Sequence, residues 1–422
     1  MSPHPEPTLA AGHPETPTDF RRAGPEALAG LLGGLRDALG RVWQAYRAAL
    51  PPSMDVRYAP ELNPPRWELG HIGWFEDFWI GRNPQRLLGP RANPDSPRAA
   101  SPVRDAEALY HSAQVAHTRR WHLDLPDAGA TWRDVQRVRE RTLALLRTCG
   151  DGDDGLYMFR LAFAHEAMHL EAWIYMAQTL AIDLRGSGIA LQPSRAAPAG
   201  EIEVARQAFL LGSAGGGFAF DNELGAHEVA LEGFAIDSAP VTWGRFLPFV
   251  EAGGYDEARW WTSEGWAWRQ RQSAGRPRHV VREGEAWQRA LFGQWAALDP
   301  DEPAIHLSVH EAAAWCRWAG RRLPTEAEWE CAATTCGDAF RWGEVWEWTA
   351  SPFAPYPGFV AHPYRDYSQP FFDGRPVLRG ASFATWPAMR HSRYRNYFTG
   401  DRTDIFAGFR SCRPEAGPEA VP

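Results

Sequence analysis

Apolar residues recur at three- and four-residue steps from Leu28 to Leu50 (Leu28, Leu31, Leu32, Leu35, Leu39, Val42, Trp43, Tyr46, Leu50). That is the spacing of one buried helix face, and Pro51-Pro52 closes the run. After Asn63-Pro64-Pro65, whose prolines suit a helix start, Arg66 to Trp79 forms a second helical stretch with His71 in its aromatic half. Trp132, Val135, Val138, Leu143, Leu145 and Leu146 mark a third helix from Thr131 to Arg147, ended by the turn Gly150-Asp151-Gly152-Asp153-Asp154-Gly155. A fourth, more apolar helix runs from Leu156 to Leu180 without Pro or Gly. Residues 83–105, rich in Pro, Arg and Asn, read as a long loop of the kind that serves as a lid or binding loop. Four helices with connections of uneven length predict a bundle, a frame that builds metal sites from facing helices.

The pattern changes near residue 184. Arg185-Gly186-Ser187-Gly188 and the stretch from Pro193 to Gly200 read as a linker. Short strands and Gly-rich turns follow, at Phe209 to Ser213, His227 to Leu231 and Phe234 to Asp237, with short helices at Thr242 to Ala252 and His310 to Ala319. The expected class is α+β, with a helical domain over 20–184, a linker over 185–200 and a mixed domain over 201–413. No internal repeat is present. Met1 to Asp19, Pro-rich and polar, reads as a frayed tail without a signal pattern.

A chain of 422 residues suggests two domains, and 44% hydrophobic with 23% charged residues is a globular composition. A net charge of -8 without a basic block argues against nucleic acid as a partner. No charge-free apolar stretch of membrane-spanning length occurs, so no membrane span is expected. Five cysteines (Cys149, Cys316, Cys331, Cys336, Cys412) form no CxxC pair and leave one odd, which fits reduced thiols in a cytoplasm. The 21 Trp, 11 Tyr and 21 Phe residues fill core, and some suit a pocket for a cation.

The chemistry concentrates at Ala164-His165-Glu166-Ala167-Met168-His169-Leu170-Glu171. Histidines four apart leave one helix face together and can grip a single ion. His165-Glu166-x-x-His169 is also the zinc-hydrolase pattern, with Glu166 as general base. The third ligand decides between zinc hydrolysis and another metal chemistry.

The second half carries Pro240-Val241-Thr242, Arg322-Leu323-Pro324-Thr325-Glu326-Ala327-Glu328-Trp329-Glu330, Val345-Trp346-Glu347-Trp348-Thr349, Leu378-Arg379-Gly380-Ala381-Ser382 and Phe406-Ala407-Gly408-Phe409-Arg410. Together these resemble the formylglycine-generating-enzyme or sulfatase-modifying-factor domain, a variant of the C-type-lectin fold, over residues 200–413. The first half, with Gly70-His71 and His165-x-x-x-His169-x-Glu171, resembles the DinB-like four-helix bundle. The pair is similar to the non-haem iron enzymes of the ergothioneine pathway, the sulfoxide synthases, and to their relative selenoneine synthase.

The resemblance implies iron(II) held by His71, His165 and His169, with O₂ as co-substrate and Glu171 and Glu166 orienting imidazoles. It implies small-molecule substrates: hercynine, the Nα-trimethylated form of histidine, and a chalcogen donor. It places the catalytic tyrosine at Tyr364 or Tyr367. It assigns Asn396 to the carboxylate of hercynine, Tyr397 to its trimethylammonium and Arg402 to a donor group. Formylglycine chemistry needs paired cysteines after the Arg-Gly-x-Ser motif, and Thr385 and Arg390 stand there instead.

Two departures bear on the donor. Met168 replaces the Gln usual before the second helix histidine, and Phe398 replaces the acid that meets γ-glutamylcysteine in the mycobacterial type. The stretch Asp105 to Pro126, with Tyr110-His111-Ser112 and Arg119-Arg120-Trp121-His122, resembles the selenoneine branch. The expectation is therefore carbon–selenium bond formation between hercynine and a selenosugar. Its alternatives are a sulfoxide synthase using cysteine or γ-glutamylcysteine, a zinc hydrolase, and a non-catalytic binding protein.

Overall fold

The computed structural model describes residues 19–195 and 200–414. The tail read over Met1 to Asp19 lies, apart from Asp19, outside the described residues, as do residues 196–199 of the linker. Among the described residues no helix is long and apolar enough to cross a membrane.

Helix α1 (Pro25–Ala49) opens with proline in its first turn and buries Leu28, Leu32, Leu35, Leu39, Val42, Trp43 and Tyr46, the periodic face seen in the sequence. Helix α2 (Pro65–Glu76) carries His71 and continues into one π-helical turn, Asp77–Gly81. A short helix α3 (Ala106–Tyr110) interrupts the following loop region. Helix α4 (Ala128–Leu146) starts three residues before the expected Thr131 because Asp127 caps it, accepting from the Ala130 N–H. Helix α5 (Asp153–Leu180) carries His165 and His169 and stops at Ala181, which takes the left-handed conformation at φ 55°.

A quartet of charges joins these helices inside the bundle. Arg36 of α1 donates Nε and Nη2 to the two carboxylate oxygens of Glu166 on α5, at 2.8 Å each, and reaches Glu76 of α2 at 3.0 Å. Arg139 of α4 forks onto Glu76 with two bonds of 2.9 Å and pairs with Glu166 as well. All four side chains are buried. Burial opposes ionisation of Glu76, yet Arg139 and Arg36 overcome it and hold the carboxyl well below its usual range.

In the second half, strands β1 (Glu201–Val204) and β4 (Phe234–Asp237) pair antiparallel, as do β2 (Gln207–Leu211) and β3 (His227–Leu231). Helices α6 (Trp243–Glu251) and α7 (Ser263–Arg271) precede an antiparallel meander, β5 (Val280–Glu283), β6 (Ala286–Leu291) and β7 (Gln294–Ala297). Helices α8 (Val309–Trp318) and α9 (Glu326–Thr335) follow, each begun by a reciprocal capping box, Ser308 with Glu311 and Thr325 with Glu328. The last sheet has the order β10-β9-β8-β11, from β8 (Trp346–Pro352), β9 (Pro376–Gly380), β10 (Asn396–Tyr397) and β11 (Ala407–Gly408). Its β8–β9 and β9–β10 pairs are antiparallel, and β11 runs parallel to β8. The architecture is α+β.

The motif charges of this half are internal. Arg379 pairs with Glu330, Arg395 with Glu326 at 3.0 Å, and Arg410 with Glu347 at 2.8 Å, all buried. One hydrophobic core runs through both halves: Phe20 sits between Phe163 of α5 and Phe218, at ring separations of 5.1 and 5.4 Å.

Removing one partner of a buried ion pair leaves the other charge uncompensated. Glu166→Gln is therefore expected to destabilise the fold by about 3–5 kcal/mol, read from urea unfolding. Glu223, buried in the turn after β2, has an Oε1 without a hydrogen bond, His391 Nε2 standing 3.6 Å from it, and burial pushes its carboxyl up to about 8 against the pull of Arg21. The folded state thus favours the neutral acid. Its contribution is full below the ordinary carboxylate range and fades as pH rises through about 8. Stability measured from pH 5 to 9 should fall less steeply in Glu223→Gln than in the parent.

Candidate metal centre

His71, His165 and His169 each present a ring nitrogen, and the three atoms lie within 4.8 Å of one another. The helical spacing brings two of them together; the pairing of α2 with α5 brings the third. His71 and His165 are buried and His169 is partly exposed, so the group opens to one side only.

Each imidazole is aimed by a partner. His71 donates Nδ1–H to the Tyr110 carbonyl at 2.7 Å, which turns Nε2 inward. Tyr110 reaches it because α2 has glycine at 70: a Cβ there would meet the Tyr110 ring at 2.2 Å. The His71 ring stacks on Trp67 one turn before it and on Trp74 one turn after, at centroid distances of 4.9 and 5.7 Å. His165 stacks on Phe75 at 3.5 Å. His169 donates Nδ1–H to Glu68 Oε1 at 2.5 Å, and its Nε2 faces His165 Nε2 at 3.1 Å. Burial, reinforced by His169, presses the His71 imidazolium down to about 3 and that of His165 well below its normal value. Neutral imidazoles with free lone pairs are the form that binds a transition metal.

Glu68 is the residue that the sequence pattern did not single out, although its spacing of three before His71 on the same helix face was a signal. Its second oxygen accepts from Asn63 Nδ2 at 2.8 Å, and Asn63 in turn accepts from Arg120 Nη1 at 2.8 Å. Arg120 lies over the Trp67 ring at 3.9 Å and backs this relay. Burial opposes the Glu68 charge, but His169 keeps its carboxyl below the usual range.

The two glutamates expected to orient imidazoles do other work. Glu166 is saturated by Arg36 and Arg139, so it orients no imidazole and is not free to act as a hydrolytic base. Glu171 binds the second half of the chain. It accepts from Trp346 Nε1 at 2.8 Å, Ser382 Oγ at 2.5 Å and Thr385 Oγ1 at 2.8 Å. Thr385 and Arg390 hold backbone and Glu171 where formylglycine chemistry would need thiols.

His165 and His169 line a cavity of about 290 Å³ between the two halves. Met168, Tyr364, Tyr367, Asn396, Tyr397 and Phe398 all line it, together with Asn63, Ser112, Asp366 and Tyr394, which the sequence reading left out. The Tyr364 ring stands 4.8 Å from Phe75 and 6.2 Å from His165. Tyr367 donates its hydroxyl to Met168 Sδ at 3.4 Å, and burial pushes both phenols above the usual tyrosine range. Tyr397 spends its hydroxyl on the Tyr367 carbonyl and stacks on Phe353 at 4.0 Å. Arg402 does not line the cavity: it pairs with Asp404 through two contacts of 2.5 Å and covers the far face of Phe398.

Three imidazoles with open positions beside them are a donor set that iron, zinc and copper all accept. The Sulfatase-modifying factor enzyme 1-like domain family matches residues 192–344. A hercynine oxygenase from Mycolicibacterium thermoresistibile is 34% identical over 410 residues, covering 84% of this chain and 88% of the relative. A hercynine oxygenase from Mycobacterium tuberculosis is 33% identical over 408 residues, 84% of this chain and 92% of its own. A formylglycine-generating enzyme from Streptomyces coelicolor is 36% identical over 162 residues, 34% of this chain and 51% of that protein.

If Glu68 fixes the His169 ring, Glu68→Gln should weaken metal binding about 10- to 100-fold, measured by titration of the metal-free protein.

Proposed function

From the membership of this chain in the hercynine oxygenase family, the sulfoxide synthases of the ergothioneine pathway, we propose that it oxidatively couples hercynine to a thiol, cysteine or γ-glutamylcysteine, using iron(II) and O₂. The observation that carries this reading is the trio of converging imidazoles, two of which line a tyrosine-rich cavity between the halves. Held by His71, His165 and His169, iron(II) would supply the oxidising power that joins sulfur to the imidazole carbon.

The protein's own groups bind, orient and supply a proton. Tyr364, kept protonated by burial, has a hydroxyl not committed to Met168 and is the first candidate for proton delivery; Tyr367 is the second. Asn396 suits the carboxylate of hercynine. The trimethylammonium finds aromatic faces in Trp346, Tyr394 and Tyr397, and carboxylates in Glu171 and Asp366. We assign the helical half, 20–184, to the DinB-like type and the half over 201–413 to the pocket wall. The free cysteines fit a reducing, cytoplasmic setting.

A selenosugar donor is the second reading, and one observation favours it. Among the described residues the cavity wall contains no arginine or lysine, and the charge of Arg402 is already met by Asp404. A thiol with carboxylates finds no cation there, whereas an uncharged sugar finds Asn63, Ser112 and Asn396.

Mass spectrometry on anaerobically iron-loaded protein given hercynine, O₂ and a mixed pool of selenosugar, cysteine and γ-glutamylcysteine tests both. A sulfur adduct of hercynine is the expected product. A product with the isotope envelope of selenium would transfer the assignment to the second reading, and no adduct with any donor would overturn both.

A further inference from the structure

The stretch from His362 to Ser368 carries Tyr364 and Tyr367 to the cavity without belonging to any strand or α-helix. One carboxylate at its back bonds both of its ends, while between them Arg365 pairs with Asp95 at 2.7 Å and the Tyr397 hydroxyl meets the Tyr367 carbonyl. The backbone N–H of His362, at the start, donates to Asp221 Oδ2 at 3.2 Å. Ser368 Oγ, at the end, donates to Asp221 Oδ1. The direction of that second bond is fixed by chemistry: Asn222 Nδ2 donates to the same Ser368 oxygen at 2.9 Å, so the hydroxyl proton is left for the carboxylate. Asp221, Asn222 and Ser368 are all buried. None of them lines the cavity.

We propose that Asp221 is a positioning residue, which fixes Tyr364 and Tyr367 in front of the three histidines by clipping their loop at both ends. The proposal rests on the catalytic reading of these tyrosines. Between the clips the loop is tight: Tyr367 N–H donates to the Tyr364 carbonyl at 3.1 Å, and the two rings stack at 5.8 Å. Releasing either end therefore loosens the segment that carries both rings. The clip is also tied to the metal-bearing helix, because Tyr157 of α5 meets His362 Nδ1 at 2.9 Å, eight residues before His165. A carboxylate suits the position because it offers two acceptor oxygens and no donor, one for an N–H and one for an O–H; an amide would offer one acceptor.

The test compares Asp221→Asn, Ser368→Ala and Ser368→Thr with the parent, using iron(II)-loaded enzyme, hercynine, a thiol and O₂. Asp221→Asn and Ser368→Ala should each lower kcat about tenfold or more, with KM for hercynine within about twofold and unchanged iron stoichiometry. Ser368→Thr keeps the hydroxyl and should recover most of the rate. A second readout needs no turnover: in metal-free Asp221→Asn, backbone amides of 362–368 should exchange with deuterium about tenfold faster, while the part of α5 around His165 and His169 does not change. Parent-like kcat in both disabled variants would overturn the proposal. So would unchanged exchange in the loop, or acceleration spread equally through α5, which would make Asp221 a general fold residue. Full activity in both Tyr364→Phe and Tyr367→Phe would remove the premise instead, and the exchange measurement separates that failure from a clip that does not hold.

Discussion

Four charges with almost no access to water, Arg36, Glu76, Arg139 and Glu166, set the geometry on which the metal centre depends. Glu76 lies on α2 five residues after His71, and Glu166 is the neighbour of His165 on α5. The arginines come from the other two helices and satisfy both carboxylates at once. Apolar packing alone tolerates small slips of one helix along another. An unpaired buried charge does not, so the quartet fixes the register that aligns His71 with His165 and His169. Desolvating four ions is expensive, and what it provides is specificity of helix register more than stability.

The second constraint is the junction at Glu171. Its carboxylate gathers three donors from the opposite half, two of them from the segment just after Arg379-Gly380. In a domain of the formylglycine-generating type that segment leads to the reactive cysteines; here it grips the helix that carries His165 and His169. The remaining motif charges lie inside the second half as ion pairs, Arg379 with Glu330, Arg395 with Glu326 and Arg410 with Glu347. The motifs that identify the domain thus maintain its core and its seam with the bundle. Part of the cavity wall comes from less recognisable residues, Asn63, Ser112 and Tyr394 among them.

Helices α1, α2, α4 and α5 were legible in the sequence because each shows a long apolar period or a proline stop, and the i,i+4 histidines were legible because one helix face contains both. Helix α9 was missed although its Thr325 and Glu328 form a capping box, since its short alternation of charged and apolar residues gives no clear period. Helix α7 and the β5–β7 meander were missed for a related reason: Trp, Arg and Gln dominate them, and much of their surface faces solvent. The roles of Glu166 and Glu171 were not readable locally. Both sit beside a histidine, and only partners 27 to 214 positions distant in the chain decide that one belongs to the bundle core and the other to the seam. Met168 and Tyr367 meet for the same reason, through a contact that spans 199 positions.

The position of His71 between Trp67 and Trp74 has a kinetic side. An imidazole stacked on two indoles resists swinging out of line, and its Nδ1–H is pinned as well. The usual first event in losing an ion, rotation of one ligand ring, is therefore blocked at this corner of the triangle. Losing an ion from this corner would require α2 and α5 to part, and parting them would break the charge quartet. The partly exposed His169, held by Glu68 alone, is the corner left to move first, so its single carboxylate would govern how long an ion stays.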